Sequence, residues 1–185
     1  QDVKEYVRSC PRCSEAKSSS QKKPGLLQPL PIPTRKFEVI TMDFVTSLPE
    51  ADDFNAIMIM VDKLTKRVFL APTTDAVTAE EAANLFYKHV VTTQGVPSVI
   101  ISDRGTQFTS VFWKSMVQQL GIKHKLSTAY HPQTNGQSEI TVRIVIDTLR
   151  ALNKEYPNWV QILPAVEFAI NNSKHTSTGY TPFYL

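Results

Sequence analysis

Glu38-Val-Ile-Thr-Met-Asp-Phe-Val-Thr-Ser-Leu48, Asn55-Ala-Ile-Met-Ile-Met-Val61 and Arg67-Val-Phe-Leu-Ala-Pro72 decide the fold class of this chain. In the first segment Ile40, Met42 and Phe44 alternate with Thr41, Asp43, Val45 and Ser47, the period of two that sets the faces of a β-strand. The second is a near-continuous apolar run, expected where a strand is covered on both faces. The third reads as another strand, and the short connections predict an antiparallel meander. Downstream, Thr78 is placed to cap a helix that carries Glu80, Glu81, Ala82, Leu85, Phe86 and Val90 at helical spacing and ends at Gly95-Val-Pro97. Val99-Ile-Ile101 is a short strand that stops at Ser102-Asp-Arg-Gly105. A helix over 110–120, a strand over 122–127, a polar turn-forming loop over 128–137 and a helix to Lys154 follow. A last helix spans 158–171, with Pro164 kinking or restarting it. Three strands, helix, strand, helix, strand, helices: this order predicts one α/β domain around a five-stranded mixed sheet flanked by helices.

With 185 residues, 42% hydrophobic and 20% charged, the chain has material for one substantial core and a small appendage. A net charge of +3 and a pI near 8.8 permit a nucleic-acid partner without requiring one. No apolar run reaches the ~18–20 residues of a membrane span, so no membrane partner is expected. Nor does a charged-then-apolar leader open the sequence. Beginning at Gln1 and stopping just behind Thr-Pro-Phe, the chain is expected to be part of something longer.

Two cysteines, Cys10 and Cys13, are the only ones. A C-x2-C pair is half of a tetrahedral zinc site, and a disulfide-forming redox pair is the alternative. His89, His124, His131 and His175 lie far downstream, so a Zn2+ ion would need further ligands upstream of Gln1. Residues 1–16 are thus expected to be a truncated zinc-binding remnant. Residues 17–36, with Lys22-Lys-Pro-Gly25 and prolines at 29, 31 and 33, read as an extended linker. Residues 37–185 form the main domain.

Three acids stand out: Asp43 within a strand, Asp103 at the end of another and Glu139 after the polar loop. Between Asp43 and Asp103 lie 59 residues, and between Asp103 and Glu139 lie 35. Carboxylates converging from separate elements suit phosphodiester chemistry, where two Mg2+ ions roughly 3.5–4 Å apart activate the nucleophile and stabilise the leaving oxygen. Magnesium needs few protein ligands because it keeps its waters. Singly, each acid also has a plainer reading. Asp43 fits a solvent-facing strand position, Asp103 a turn, and Glu139 an i,i+4 pair with Arg143 worth about 0.3–0.5 kcal/mol. Asp52, Asp53, Asp62 and Asp75 compete, Asp62 most seriously.

Local sequence separates the three. Thr41-Met-Asp-Phe-Val45, Ser102-Asp-Arg-Gly-Thr-Gln-Phe108 and His131-Pro-Gln-Thr-Asn-Gly-Gln-Ser-Glu139 resemble the integrases of gypsy-type LTR retrotransposons, relatives of retroviral integrases. Leu26–Pro31, Val61–Lys66 and the terminal Thr-Pro-Phe match as well. The resemblance implies an RNase H-like fold and a D-D-E triad of Asp43, Asp103 and Glu139 binding two Mg2+ or Mn2+. It implies that Cys10 and Cys13 are the Cys half of a His-His-Cys-Cys zinc domain. It further implies 3′-end processing and strand transfer of retroelement DNA by a homo-oligomer cut from a Pol polyprotein. Such an enzyme would assemble in the cytoplasm and act in the nucleus. Tyr130 to Gln137 would form the active-site loop, with Tyr130, Gln133, Asn135 and Gln137 contacting double-stranded DNA. Arg143 would meet a phosphate or else pair with Glu139, and Lys66 would add a backbone contact or remain a solvated charge.

Two positions depart from that pattern. Asn135 stands where the family usually has Asp, and Ile140 where Arg or Lys is common. The greasier helix keeps open a second reading, a decayed or domesticated copy that binds DNA or protein without catalysis. An RNase H-type nuclease is a third, disfavoured by the His-Pro-Gln-Thr loop.

Overall fold

The computed structural model describes residues 32–127, 136–152 and 157–185, the side chains of residues 136–139 excepted. Five strands, β1 (Val39–Val45), β2 (Ala56–Asp62), β3 (Val68–Thr73), β4 (Val99–Ser102) and β5 (Lys123–Leu126), form one sheet in the order β3-β2-β1-β4-β5. β1, β2 and β3 pair antiparallel as the meander predicts, whereas β4 joins β1, and β5 joins β4, in parallel. Parallel neighbours need a crossover. It is supplied between β3 and β4 by α1 (Ala79–Phe86), which runs on through a π-helical segment, Tyr87–Val91, and a last turn, Thr92–Gln94. Between β4 and β5 it is supplied by α2 (Thr106–Thr109) and α3 (Val111–Gln119). The short α2 was not anticipated from sequence, because four residues carry no period. α4 (Gly136–Leu152) and α5 (Trp159–Asn172) complete the chain, Pro164 lying inside a continuous α5.

β2 explains its own composition. Met58 and Met60 enter one core with Ile40, Met42, Phe86, Phe108 and Trp113. Ile57, Ile59 and Val61 enter a second with Val45, Val145, Leu149, Leu163 and Val166. Every β2 residue is buried because α1 to α3 cover one face and α4 and α5 the other. Thr78 caps α1 as expected, its hydroxyl accepting the Glu81 amide while Glu81 accepts the Thr78 amide.

The edge strand β3 is closed by side chains of α5. Asn171 accepts the Val68 amide and donates to the Val68 carbonyl, both at 2.8 Å, and Glu167 accepts the Leu70 amide at 2.7 Å. These groups satisfy an edge that would otherwise template another strand. Burial pushes the Glu167 carboxyl above its ordinary 4.5, against the Leu70 hydrogen bond and Arg67, which pull it down. A raised folded value means that stability from this group is present below 4.5 and is lost as pH rises through the raised value. Glu167→Gln, whose amide oxygen can still accept from Leu70, should therefore melt progressively higher than the parent between pH 4 and pH 7. A melting-temperature difference that stays flat over this range would refute the buried-carboxylate cost.

Candidate active site

β1 carries Asp43 in the middle of the sheet. Its register with β4 pairs Thr41 with Ile101 and Met42 with Ser102, so one further step brings Asp103 beside Asp43. Residues paired in parallel strands share a face, and alternation puts Asp43 on the face of Val45. Val45 packs with Val145 and Leu149 of α4. The two aspartates therefore belong to the side of the sheet that α4 covers, and α4 carries Glu139 at its fourth residue.

Position along α4 follows from its neighbours. Ile146 and Leu149 lie against Val45, Leu48 and Pro49. Ile140 and Ile144 share a groove of about 580 Å3 with Lys66, Ala169, Ile170, Lys174 and His175. Since Asp62, four residues before Lys66, pairs with Ile40, α4 runs against β1 with its Glu139 end toward the start of that strand. The Glu139 side chain itself lies outside the described residues.

Both aspartates are half-buried and held by backbone amides. Asp43 accepts the Phe44 amide at 2.9 Å, and Asp103 accepts the Gly105 amide at 3.0 Å as its chain turns out of the sheet. The Asp103 turn read from Arg-Gly is thus real and coexists with the site. Phe44 stacks toward Phe108 at 5.4 Å, and Phe108 meets Trp113 edge-on at 5.0 Å, anchoring the backbone under both acids. Two hard-oxygen donors side by side, one within β1 and one just past the end of β4, suit Mg2+ or Mn2+. Among the described residues no three His, Cys, Asp or Glu side chains group as a metal site.

The competing acids have structural duties. Asp62 is fully buried and accepts the Phe37 amide, the Thr65 amide and the Thr65 hydroxyl, which builds the β2–β3 turn. Asp75 accepts the Ser47 and Asn55 groups, and Asp52 accepts the Asn158 side chain. Asp52 and Asp53 take left-handed backbone, φ 48° and 64°, in the β1–β2 connection.

Of the expected DNA contacts, Arg143 is exposed on the outer face of α4 and Lys66 is half-buried in the turn after β2. Lys66 has φ 69°, its ammonium donates to the Lys63 carbonyl at 2.6 Å, and burial lowers its pKa. The outer ion pair in α4 that the structure does show is Arg150 with Asp147 at 3.7 Å, both largely exposed and of small energetic weight. Cys10, Cys13, Tyr130, Gln133 and Asn135, and the side chain of Gln137, lie outside the described residues. Sequence reading passed over two groups behind Asp103. Ser102 is fully buried, and its Oγ lies 2.9 Å from Nε2 of His124. Burial, and secondarily Lys114, hold the His124 pKa below its ordinary 6.5. A histidine flanked by Lys123 and Lys125 on a strand was the available signal.

Residues 33–132, more than half of the chain, match the integrase core domain family. The chain belongs to that family. The match stops short of Glu139, but similarity to retrotransposon proteins runs past it. The Tf2-3 and Tf2-4 transposon polyproteins of Schizosaccharomyces pombe are each 39% identical over 182 residues, 98% of this chain. The integrase core chain spans 14% of the length of these polyproteins. Solved structures agree on the RNase H-like fold. A simian T-cell lymphotropic virus intasome bound to PP2A regulatory subunit B56 gamma superposes with TM-score 0.73 at 20% identity, covering 100% of this chain and 65% of that one. The HTLV-2 integrase catalytic core domain in complex with magnesium, in a trimeric form, gives 0.66 at 18% identity, covering 80% and 95%. No helix among the described residues is long and apolar enough to cross a membrane.

Proposed function

We propose that this integrase core catalyses DNA integration, as a metal-dependent polynucleotidyl transferase performing 3′-end processing and strand transfer of retroelement DNA. The observation that carries the reading is the placement of Asp43 and Asp103 at one level of two parallel strands, on the face covered by the helix of Glu139. Asp43, Asp103 and Glu139 would hold the two Mg2+ or Mn2+ ions. Those ions, when bound, would supply Lewis-acid activation of the attacking oxygen and charge neutralisation at the phosphate. The protein's own part is to hold three carboxylates on a rigid frame, with no covalent intermediate. Magnesium in the HTLV-2 core structure supports this choice of cofactor.

Around this centre, Lys66, Tyr130, Gln133, Asn135, Gln137 and Arg143 would contact double-stranded DNA, both element ends and target. Residues 1–16 would end a zinc domain in which Cys10 and Cys13 bind Zn2+ with two upstream histidines, residues 17–36 would be its linker, and residues 37–185 the catalytic core. We read the working form as a homo-oligomer excised from a polyprotein and acting on chromosomal DNA in the nucleus. Related structures captured in dimeric, trimeric and intasome forms support the oligomer.

One observation favours the non-catalytic alternative. Directly after Glu139, the outer face of α4 presents Ile140, 56% exposed, where the family commonly has Arg or Lys, and Ile144, 42% exposed, extends the apolar surface. A branched DNA that mimics the joined product separates the readings, because resealing it asks least of regions beyond the core. Mn2+- or Mg2+-dependent resealing that disappears in Glu139→Gln is the expected result. A folded chain that binds this DNA and never reseals it would establish the non-catalytic copy.

A further inference from the structure

Asp103 is gripped from two sides. Its carboxylate accepts the Gly105 amide at 3.0 Å, and its carbonyl accepts the Ser102 hydroxyl at 2.9 Å. A serine hydroxyl has one proton. With that proton given to the Asp103 carbonyl, the 2.9 Å contact between Ser102 Oγ and His124 Nε2 is made by the Nε2–H tautomer of His124. The relay thus reads His124 Nε2–H to Ser102 Oγ–H to the Asp103 carbonyl. Register supports it, because Ile100 faces His124 across the β4–β5 pair and Ser102, two residues on, shares that face. The imidazole is in turn braced edge-on by Trp113 at 6.1 Å, and Trp113 is fully buried.

β4 ends at Ser102, where the Ser127 amide still reaches the Ser102 carbonyl at 2.8 Å. The Asp103 carbonyl is the next one along, and the Ser102 hydroxyl holds it, so the peptides on both sides of the Asp103 Cα are fixed and with them the direction of Cβ. We propose that His124 is a positioning residue for Asp103, acting through Ser102 to hold its backbone so that the carboxylate stays beside Asp43. The relay lies on the opposite face of the sheet from the carboxylates. It rests on the metal-site reading above, and it adds a role that the acid pattern does not contain.

The test is Mn2+ binding to the DNA-free chain, followed by loss of the free-ion paramagnetic resonance signal, with thermal melting recorded for every variant. Outer partners of metal ligands typically change metal affinity ~10–100-fold. His124→Leu should weaken Mn2+ binding about tenfold. His124→Gln, whose amide nitrogen can take the place of Nε2, should restore binding to within about threefold of the parent. Ser102→Ala should match His124→Leu, and the double variant should add nothing further, the signature of residues acting as one unit. Parent-like binding by His124→Leu would overturn the relay, as would equal losses in the Leu and Gln variants tracking their melting temperatures. A parent chain that bound no Mn2+ would overturn the metal site itself and the relay with it, whereas the first two results leave that site standing.

Discussion

Asp103→Asn and Asp43→Asn are each expected to slow metal-dependent resealing of branched DNA at least about a thousandfold, which corresponds to about 4 kcal/mol of transition-state stabilisation. Asparagine keeps an oxygen for the Phe44 or Gly105 amide, so the local hydrogen bonds at 2.9 and 3.0 Å can persist. What disappears is one unit of negative charge from the proposed metal site. Both side chains are half-buried rather than part of the cores, so melting temperatures should barely move. Asp62→Asn is the contrasting control. Its carboxylate is fully buried and accepts three hydrogen bonds, two from amides and one from the Thr65 hydroxyl. Replacing one oxygen with an NH2 group sets donor against donor, at a cost of about 1–3 kcal/mol in stability. Paired measurement of rate and melting temperature for all three variants decides the assignment. Activity retained in Asp103→Asn but lost in a stable Asp62→Asn would move the site to the end of β2.

The largest stability effect is expected at Trp113. It is fully buried where Phe86, Phe108 and His124 converge, with ring centroids 6.1, 5.0 and 6.1 Å away. Trp113→Ala removes this hub and leaves a cavity beneath the Asp103 turn, which should cost about 3–5 kcal/mol. In a chain of this size that lowers the melting temperature by roughly 10 °C or more. The indole Nε1 has no hydrogen-bond partner among the described residues. Trp113→Phe therefore loses ring area but also discards a buried, unpaired donor, and should cost less than about 1.5 kcal/mol. Calorimetric melting of both variants checks the pair. Equal, large losses would mean that the indole N–H is satisfied after all.

Element by element, the strands were the most legible part. A period of two in Val39–Val45 and an unbroken apolar run in Ala56–Asp62 are local signals, and the structure returns both segments as strands. The capping box at Thr78 is equally local and equally plain. In α4 the apolar Val145 and Leu149 are buried and Arg143, Asp147 and Arg150 are exposed, the sorting that a helix with one covered face requires. Less was visible where the cause is distant. That Asp62 builds a turn depends on the amide of Phe37, 25 positions away, as well as on nearby Thr65, so its structural duty emerged only on folding. The sealing of β3 by Asn171 joins residues 103 positions apart. His124 carried no mark of its tie to Ser102, because the bond exists only once β4 and β5 lie side by side.

By itself, then, the sequence determined the faces of the strands, the cap at Thr78, and the acid-bearing motifs that mark the family. Tertiary structure alone decided that β1 lies parallel to β4, which puts Asp43 beside Asp103. It also decided which helix covers their face and which residues hold Asp103 from behind. The reason is physical. Periodicity records which side of an element meets apolar surroundings, but not what supplies them. Pairing between segments some sixty residues apart is chosen by the packing of the whole chain, where two cores must close on one sheet at once.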